Sequence, residues 1–254
     1  MLTHPTLDQL HDLRLTGMAK AFQEQLQMAE VDSLSFEERL ALLVDREATE
    51  RTSRRLKTRL GKARLRHNAA VEDIDFRHPR GLDKAQALSL ASCDWIRRHY
   101  NLLITGPTGV GKTFLACAFG HKACQEGFTV LYVRLPRLFQ ELSLARGDGR
   151  YGKLLRSYAR TDLLLLDDWG LFPFGDDERR DLLEILEERH ERRSTVVTSQ
   201  FPVKQWHDVL GDPTLADAIL DRLVHNAYRI ALKGDSLRRR QATSKKVTAS
   251  GTRK

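Results

Sequence analysis

The chain has 254 residues, 41% hydrophobic and 30% charged, a balance that suits a soluble protein with a sizeable buried core and excludes a disordered chain. No run approaches the roughly 18–20 apolar residues needed to span a bilayer, and the start, Met1-Leu2-Thr3-His4-Pro5, lacks the basic and apolar regions of a signal peptide. Three cysteines without a CxxC pair argue against a disulfide framework or zinc site and for a reducing cytoplasm. The net charge of +8 is concentrated: residues 238–254 hold seven cations and residues 51–66 eight, neither with an acid, so the other 221 residues carry −7. Two such blocks on a mildly acidic body point to a polyanionic partner.

In chain order, Leu7, Leu10, Leu13, Leu15, Met18, Phe22, Leu26 and Met28 recur at mostly helical spacing, with Gly17 as the place for a bend. Ser35-Phe36-Glu37-Glu38 is a capping box opening a second helix that runs into the first basic block. The breakers around Asp75–Gly81 mark a domain boundary, giving a helical domain over residues 1–75, a larger one over 76–240 and a basic tail over 241–254 whose composition reads as disordered. A helix from about Asp83 to Arg98 precedes α/β alternation. Strands are expected at Asn101–Thr105, Thr129–Val133, Leu163–Asp167, Thr195–Ser199 and Tyr228–Leu232. Helices are expected at Lys112–Gln125, Pro136–Arg146, Tyr151–Arg160, Asp176–Glu191, Val203–Leu210 and Leu215–Asn226. Such alternation predicts a parallel sheet covered on both faces.

Gly106-Pro107-Thr108-Gly109-Val110-Gly111-Lys112-Thr113 lies between the first strand and its helix and matches G-x4-G-K-[ST], the Walker A loop. Its glycines let backbone N–H groups form an anion nest, Lys112 reaches β- and γ-phosphate oxygens, and the Thr113 hydroxyl is a ligand for Mg²⁺. ATP and Mg²⁺ are therefore the expected cofactors. Asp167 and Asp168 end the leucine-rich strand. A buried strand-end carboxylate needs a partner, which makes Asp167 the Walker B metal ligand through water and Asp168 the base for the attacking water. The following Trp169–Phe174 run reads either as packing under a loop or as a partner contact.

With these residues identified, the chain resembles the IstB family of ATP-dependent helpers of insertion-sequence transposition, relatives of DnaC-type helicase loaders. The similarity covers nearly the whole chain: Leu10–Met18, the Walker A loop, Leu166-Asp167-Asp168-Trp169-Gly170, Val197-Thr198-Ser199-Gln200, Asp221-Arg222-Leu223 and Gly234-Asp235-Ser236-Leu237-Arg238. The resemblance implies an α/β AAA+ P-loop ATPase with an all-helical N-terminal domain, forming homo-oligomers on duplex DNA and serving a transposase. It implies Gln200 as sensor 1, where Asn is commoner, with Ser199 able to share the role. It further implies Arg222 as an arginine finger offered to a neighbouring subunit and Arg238 as sensor 2, its register blurred by Arg239 and Arg240. Asp168 replaces the usual Glu and is one methylene shorter, which implies slow hydrolysis accelerated by assembly.

The acid-free block Arg51, Arg54, Arg55, Lys57, Arg59, Lys62, Arg64 and Arg66 reads as a phosphate-contacting face without sequence readout. Tyr151, Lys153 and Arg156, with Arg146 and Arg150, are a second candidate lining. A DnaC-type helicase loader is the first alternative. A small-molecule P-loop kinase and a non-hydrolysing ATP-bound scaffold are the others.

Overall fold

A computed structural model describes residues 5–28 and 31–237. The chain divides into two compact units between Thr58 and Arg59, inside a long helix, whereas the sequence suggests a boundary near residue 75.

The first unit begins with α1 (Pro5–Asp12) and α2 (Thr16–Gln25). The break between them comes at Leu13–Leu15, where Arg14 takes φ +58°, and not at Gly17. Gly17 serves close packing instead. A Cβ there would lie 2.6 Å from the Cα of Glu47 on α3 (Phe36–Ala63). The Glu47 carboxylate is buried and accepts the Gly17 and Met18 amides at 2.7 and 3.2 Å, capping α2, whose N-cap Leu15 has no side-chain acceptor. Burial works to raise the Glu47 pKa, but the Arg51 guanidinium and these amides outweigh it and hold the carboxyl below its ordinary value. At the start of α3 the capping box forms, with Ser35 N–H donating to Glu38 at 2.8 Å and Glu38 N–H to the Ser35 hydroxyl at 3.2 Å.

Helix propensity alone makes Gly17→Ala stabilising by about 1 kcal/mol. Two helix backbones in contact have little room to give, so we expect overpacking of about 1–3 kcal/mol to win. Thermal melts followed by circular dichroism check the sign, and a higher melting temperature would count against the close packing.

In the second unit, the helix expected over Asp83–Arg98 is two, α4 (Lys84–Ala91) and α5 (Asp94–Arg97), broken where Cys93 enters the left-handed region at φ +61°. The strands are β1 (Asn101–Thr105), β2 (Val130–Arg134), β3 (Leu163–Trp169), β4 (Ser194–Ser199) and β5 (Ala227–Ala231). They alternate with α6 (Lys112–Gln125), α7 (Leu135–Gly147), α8 (Tyr151–Arg160), α9 (Asp176–Arg189), α10 (Trp206–Leu210) and α11 (Pro213–Val224). All pairings are parallel, in the order β2-β3-β4-β1-β5, the parallel sheet that the alternation predicts.

Alternation along the strands sends side chains to both faces. Leu103, Val133, Leu164, Leu166 and Val197 join the core formed with α7, α8, α9, α10 and α11, centred on Trp169 and Trp206 with ring centroids 4.9 Å apart. Leu165 points the other way, under α6, where a Cβ on Gly120 would be 3.1 Å from it. The order matters for function because β4 lies between β1 and β3. The carboxyl ends of these three strands are therefore adjacent, the position at which open α/β sheets bind ligands.

All three cysteines are buried and free, and burial pushes the Cys93 and Cys124 thiols up to about 11, where they are poor nucleophiles. Among the described residues no helix is long and apolar enough to cross a membrane.

Candidate nucleotide site

The loop from β1 into α6 carries the Walker A residues, and its shape depends on two segments distant in sequence. Gly111 takes φ +97°, and a Cβ there would lie 2.7 Å from the guanidinium of Arg80. Arg80 is buried beneath the loop and donates to the Val110 carbonyl at 3.1 Å and the Asp75 carbonyl at 3.2 Å. From the other side, the chain following β5 reaches the loop, with Leu237 N–H donating to the Gly109 carbonyl at 3.0 Å. Sequence reasoning missed Arg80, which stands among the boundary-like residues His78-Pro79-Arg80-Gly81. Its signal is only a charge beside turn formers.

Lys112 Nζ donates to the Gly106 and Pro107 carbonyls at 2.7 and 2.8 Å, so the ammonium folds over the loop where phosphate oxygens would sit. Thr113 at the start of α6 donates to both oxygens of Asp167, at 3.0 and 3.1 Å. Asp167 is buried at the end of β3 and also accepts the Tyr132 hydroxyl at 2.6 Å and the Thr198 hydroxyl. Burial, and then the hydrogen bond to Asp167, push the Tyr132 phenol up, so it stays a donor. Tyr132 and Thr198 were not legible as site residues. Each lies on a strand beside β3, and only the strand order points them at Asp167.

Asp168 departs from ordinary backbone geometry. It takes φ +64° where the β3–β4 register shifts between Leu166 and Trp169, at a cost of about 1 kcal/mol that Asp tolerates better than most residues. The twist turns its carboxylate from the sheet to Arg134 Nε, 2.6 Å away. Gln200, just past β4, accepts the Thr108 hydroxyl at 2.8 Å, tying the strand end to the Walker A loop. Ser199 is used differently, donating its hydroxyl to the Trp169 carbonyl at 3.0 Å.

Thr108, Gly109, Gly111, Lys112, Thr113, Asp167, Asp168 and Gln200 thus line one cavity of about 400 Å³, within the range of roughly 300–1,000 Å³ for small-molecule sites. Among the described residues no three His, Cys, Asp or Glu side chains form a ready-made metal cage. A hydroxyl backed by a buried carboxylate instead fits Mg²⁺ that takes its remaining ligands from phosphate and water. Pro107 and Val110 complete the loop with backbone groups. Arg222 does not line this cavity. On α11 it pairs with Glu187 and donates to the Ala218 carbonyl at 2.8 Å, while Asn101 fixes the helix end through the Arg222 and Leu223 carbonyls. Arg238 and the tail 241–254 lie outside the described residues.

The basic block is not one uniform face. Arg51 is tied to Glu47 and Arg54 to Thr16, whereas Arg55 and Lys57 are exposed. In the second unit, Arg59 donates to the Cys124 carbonyl at 2.9 Å, and Lys62 and Arg64 border a groove beside β2. Arg66 reaches the nucleotide cavity, 3.7 Å from Asp167. In the other candidate lining, Arg146 and Tyr151 both bind the buried Asp181 and Arg150 pairs with Asp148, leaving Lys153 and Arg156 exposed. Beyond β3, Phe174 packs on Trp169 with centroids 5.4 Å apart, while Phe172 is exposed.

The family model described as IstB-like ATP binding protein matches residues 8–245. The chain belongs to this family. It is 58% identical over 241 residues to an insertion-sequence ATP-binding protein, y4pL, of Sinorhizobium fredii, covering 95% of this chain and 98% of the relative. In fold it is similar to DnaI, with a TM-score of 0.57 and 25% identity over 65% of this chain and 91% of that one. It is likewise similar to the DnaC helicase loader, with a TM-score of 0.54 and 21% identity over 65% and 97%. The larger unit is an AAA+ P-loop domain, and as an IstB-family protein the chain binds ATP. Within the Gly234–Leu237 run, Ser236 and Leu237 pack on the Walker A loop.

Proposed function

We propose that this IstB-family chain is a Mg²⁺-dependent ATPase that binds duplex DNA, forms homo-oligomers on it and recruits or activates a transposase in insertion-sequence transposition. The observation that carries the reading is the convergence of Lys112, Thr113, Asp167, Asp168 and Gln200 at the carboxyl ends of three adjacent strands. The transposition setting rests on the names of the insertion-sequence relatives.

In this reading Lys112 and the loop amides hold the β- and γ-phosphates. Thr113 and Asp167 would hold Mg²⁺, which when bound would supply charge neutralisation at the phosphate oxygens. Asp168 takes the proton from the attacking water, Gln200 orients it, Arg238 acts as sensor 2, and Arg222 is presented to the next subunit's nucleotide. Hydrolysis releases the assembly. The cytoplasm is the place proposed for this reaction.

Electron microscopy with duplex DNA and a non-hydrolysable ATP analogue is the direct test. DNA- and nucleotide-dependent oligomers are expected, and monomers under every condition would sink the proposal. Among the block's cations, Arg55 and Lys57 are expected to bind backbone phosphate. Replacing either by Ala should weaken DNA binding equally across sequences and reduce the salt slope of the affinity by about 1. An unchanged slope for both variants removes them from the DNA face.

A DnaC-type helicase loader is the second reading, favoured by the likeness to DnaI and DnaC. Capture of a replicative helicase in place of a transposase, with preference for single-stranded over duplex DNA, would support it.

A further inference from the structure

Arg66 ends the acid-free basic run, and charge density alone assigns it to DNA phosphate with the rest. Its surroundings are different. Its guanidinium lies 3.7 Å from Asp167 Oδ2, the oxygen that also accepts the Tyr132 hydroxyl. The same phenol interacts with Arg66, and that hydrogen bond, with Asp167 nearby, holds the guanidinium's pKa up. Asp167 accepts the Thr113 hydroxyl as well. Arg66 therefore shares a carboxylate with the hydroxyl that is directed at the β- and γ-phosphate end of the nucleotide. Its side chain is 42% exposed, so it stands at the mouth of the cavity and keeps room to turn inward.

The charge balance of the cavity gives this position a consequence. Arg66, Lys112 and Arg134 face the two carboxylates Asp167 and Asp168, and Arg134 is already paired with Asp168. The remaining excess is positive and favours the more anionic nucleotide. ATP differs from ADP by one terminal phosphate. A planar guanidinium can hold two oxygens of that group at once, which an ammonium cannot.

We infer that Arg66 is a specificity-determining residue for ATP over ADP, a cation supplied within the same chain from the segment after the basic helix, which donates to the γ-phosphate. The inference rests on the ATP site described above and assigns Arg66 to that site and not to DNA. ADP lacks the group that Arg66 contacts and binds with or without it.

The test is the affinity of the full chain for ribose-labelled fluorescent ATP and ADP, in Mg²⁺ buffer, for the wild type, Arg66→Ala and Arg66→Lys. Arg66→Ala is expected to weaken ATP about 10- to 100-fold, the range for a lost charge-assisted hydrogen bond, and to change ADP affinity less than about twofold. Arg66→Lys keeps the charge but not the fork, and should fall between. Equal weakening of both nucleotides would reduce Arg66 to a support for Asp167, and no change in either would overturn the inference outright. Melting temperatures, with Arg66→Gln as a variant retaining most of the stem, separate misfolding from loss of contact. A wild type that binds neither nucleotide would instead sink the ATP-site reading itself.

Discussion

Replacing Asp168 by Asn is expected to lower ATP turnover about 10²- to 10⁴-fold, the usual contribution of a positioned base, while ATP affinity and melting temperature stay near those of the wild type. The separation follows from the local geometry. Asn is among the few residues that accept φ near +64°, so the twist at the end of β3 should survive. An amide oxygen can still accept from Arg134, which lies 2.6 Å from the native carboxylate. What Asn cannot do is take a proton. Single-turnover hydrolysis beside equilibrium binding of a non-hydrolysable analogue measures the two effects apart, and an Asp168→Asn protein as fast as the wild type would exclude the residue as the base. Aspartate is short for this task, and pairing with Arg134 holds its carboxylate to one side. Both features favour slow turnover in an isolated subunit.

The second large effect is on stability. Arg189, at the end of α9, is buried, and its guanidinium donates to the carbonyls of Tyr158, Thr161 and Ser194 and to the Thr195 hydroxyl at 3.0 Å. It satisfies the last carbonyls of α8 and the start of β4 from a single side chain, tying the turn between α9 and β4 to a helix end about 30 residues earlier in the chain. Arg189→Met keeps the approximate length and removes the cost of burying a charge, several kcal/mol. It also leaves three or more carbonyls without donors, at about 1–3 kcal/mol each. We expect a net loss of about 3 kcal/mol, or roughly 10 °C in melting temperature for a chain of this size. Denaturant titrations followed by the fluorescence of the buried Trp169 and Trp206 would register it. Equal or greater stability in Arg189→Met would mean that burying the charge costs more than the network returns.

Arg189 and Arg80 illustrate why such groups escape a linear reading. Each looks like an ordinary surface cation among many, since 42 of the 254 residues are Lys or Arg. Charge patterning distinguishes dense from sparse, not buried from exposed. The same limit applies to the basic block. Its eight cations are alike in sequence, yet Arg51 meets a buried carboxylate, Arg59 meets a carbonyl, Arg55 and Lys57 face solvent, and Arg66 lies against the buried Asp167. Gly17 marks another boundary of legibility. Composition reads it as a weak point in a helix, whereas the approach of α3 makes it a contact.

By itself the sequence determined the chemistry that depends on neighbours along the chain. A Walker A loop is contiguous because consecutive amides must converge on one phosphate. The alternation of strands and helices requires a parallel sheet because parallel strands need crossovers. The leucine run ending in Asp167-Asp168 is readable because burial and charge change within one step. Only the tertiary structure decided what is brought together across strands. Placing β4 between β1 and β3 sets Thr198 and Gln200 between the phosphate loop and the acids, and pairing β2 with the other side of β3 brings Tyr132 onto Asp167. These contacts span between 31 and 92 residues of chain. The strand order that creates them comes from the packing of the whole domain, and no local pattern encodes it.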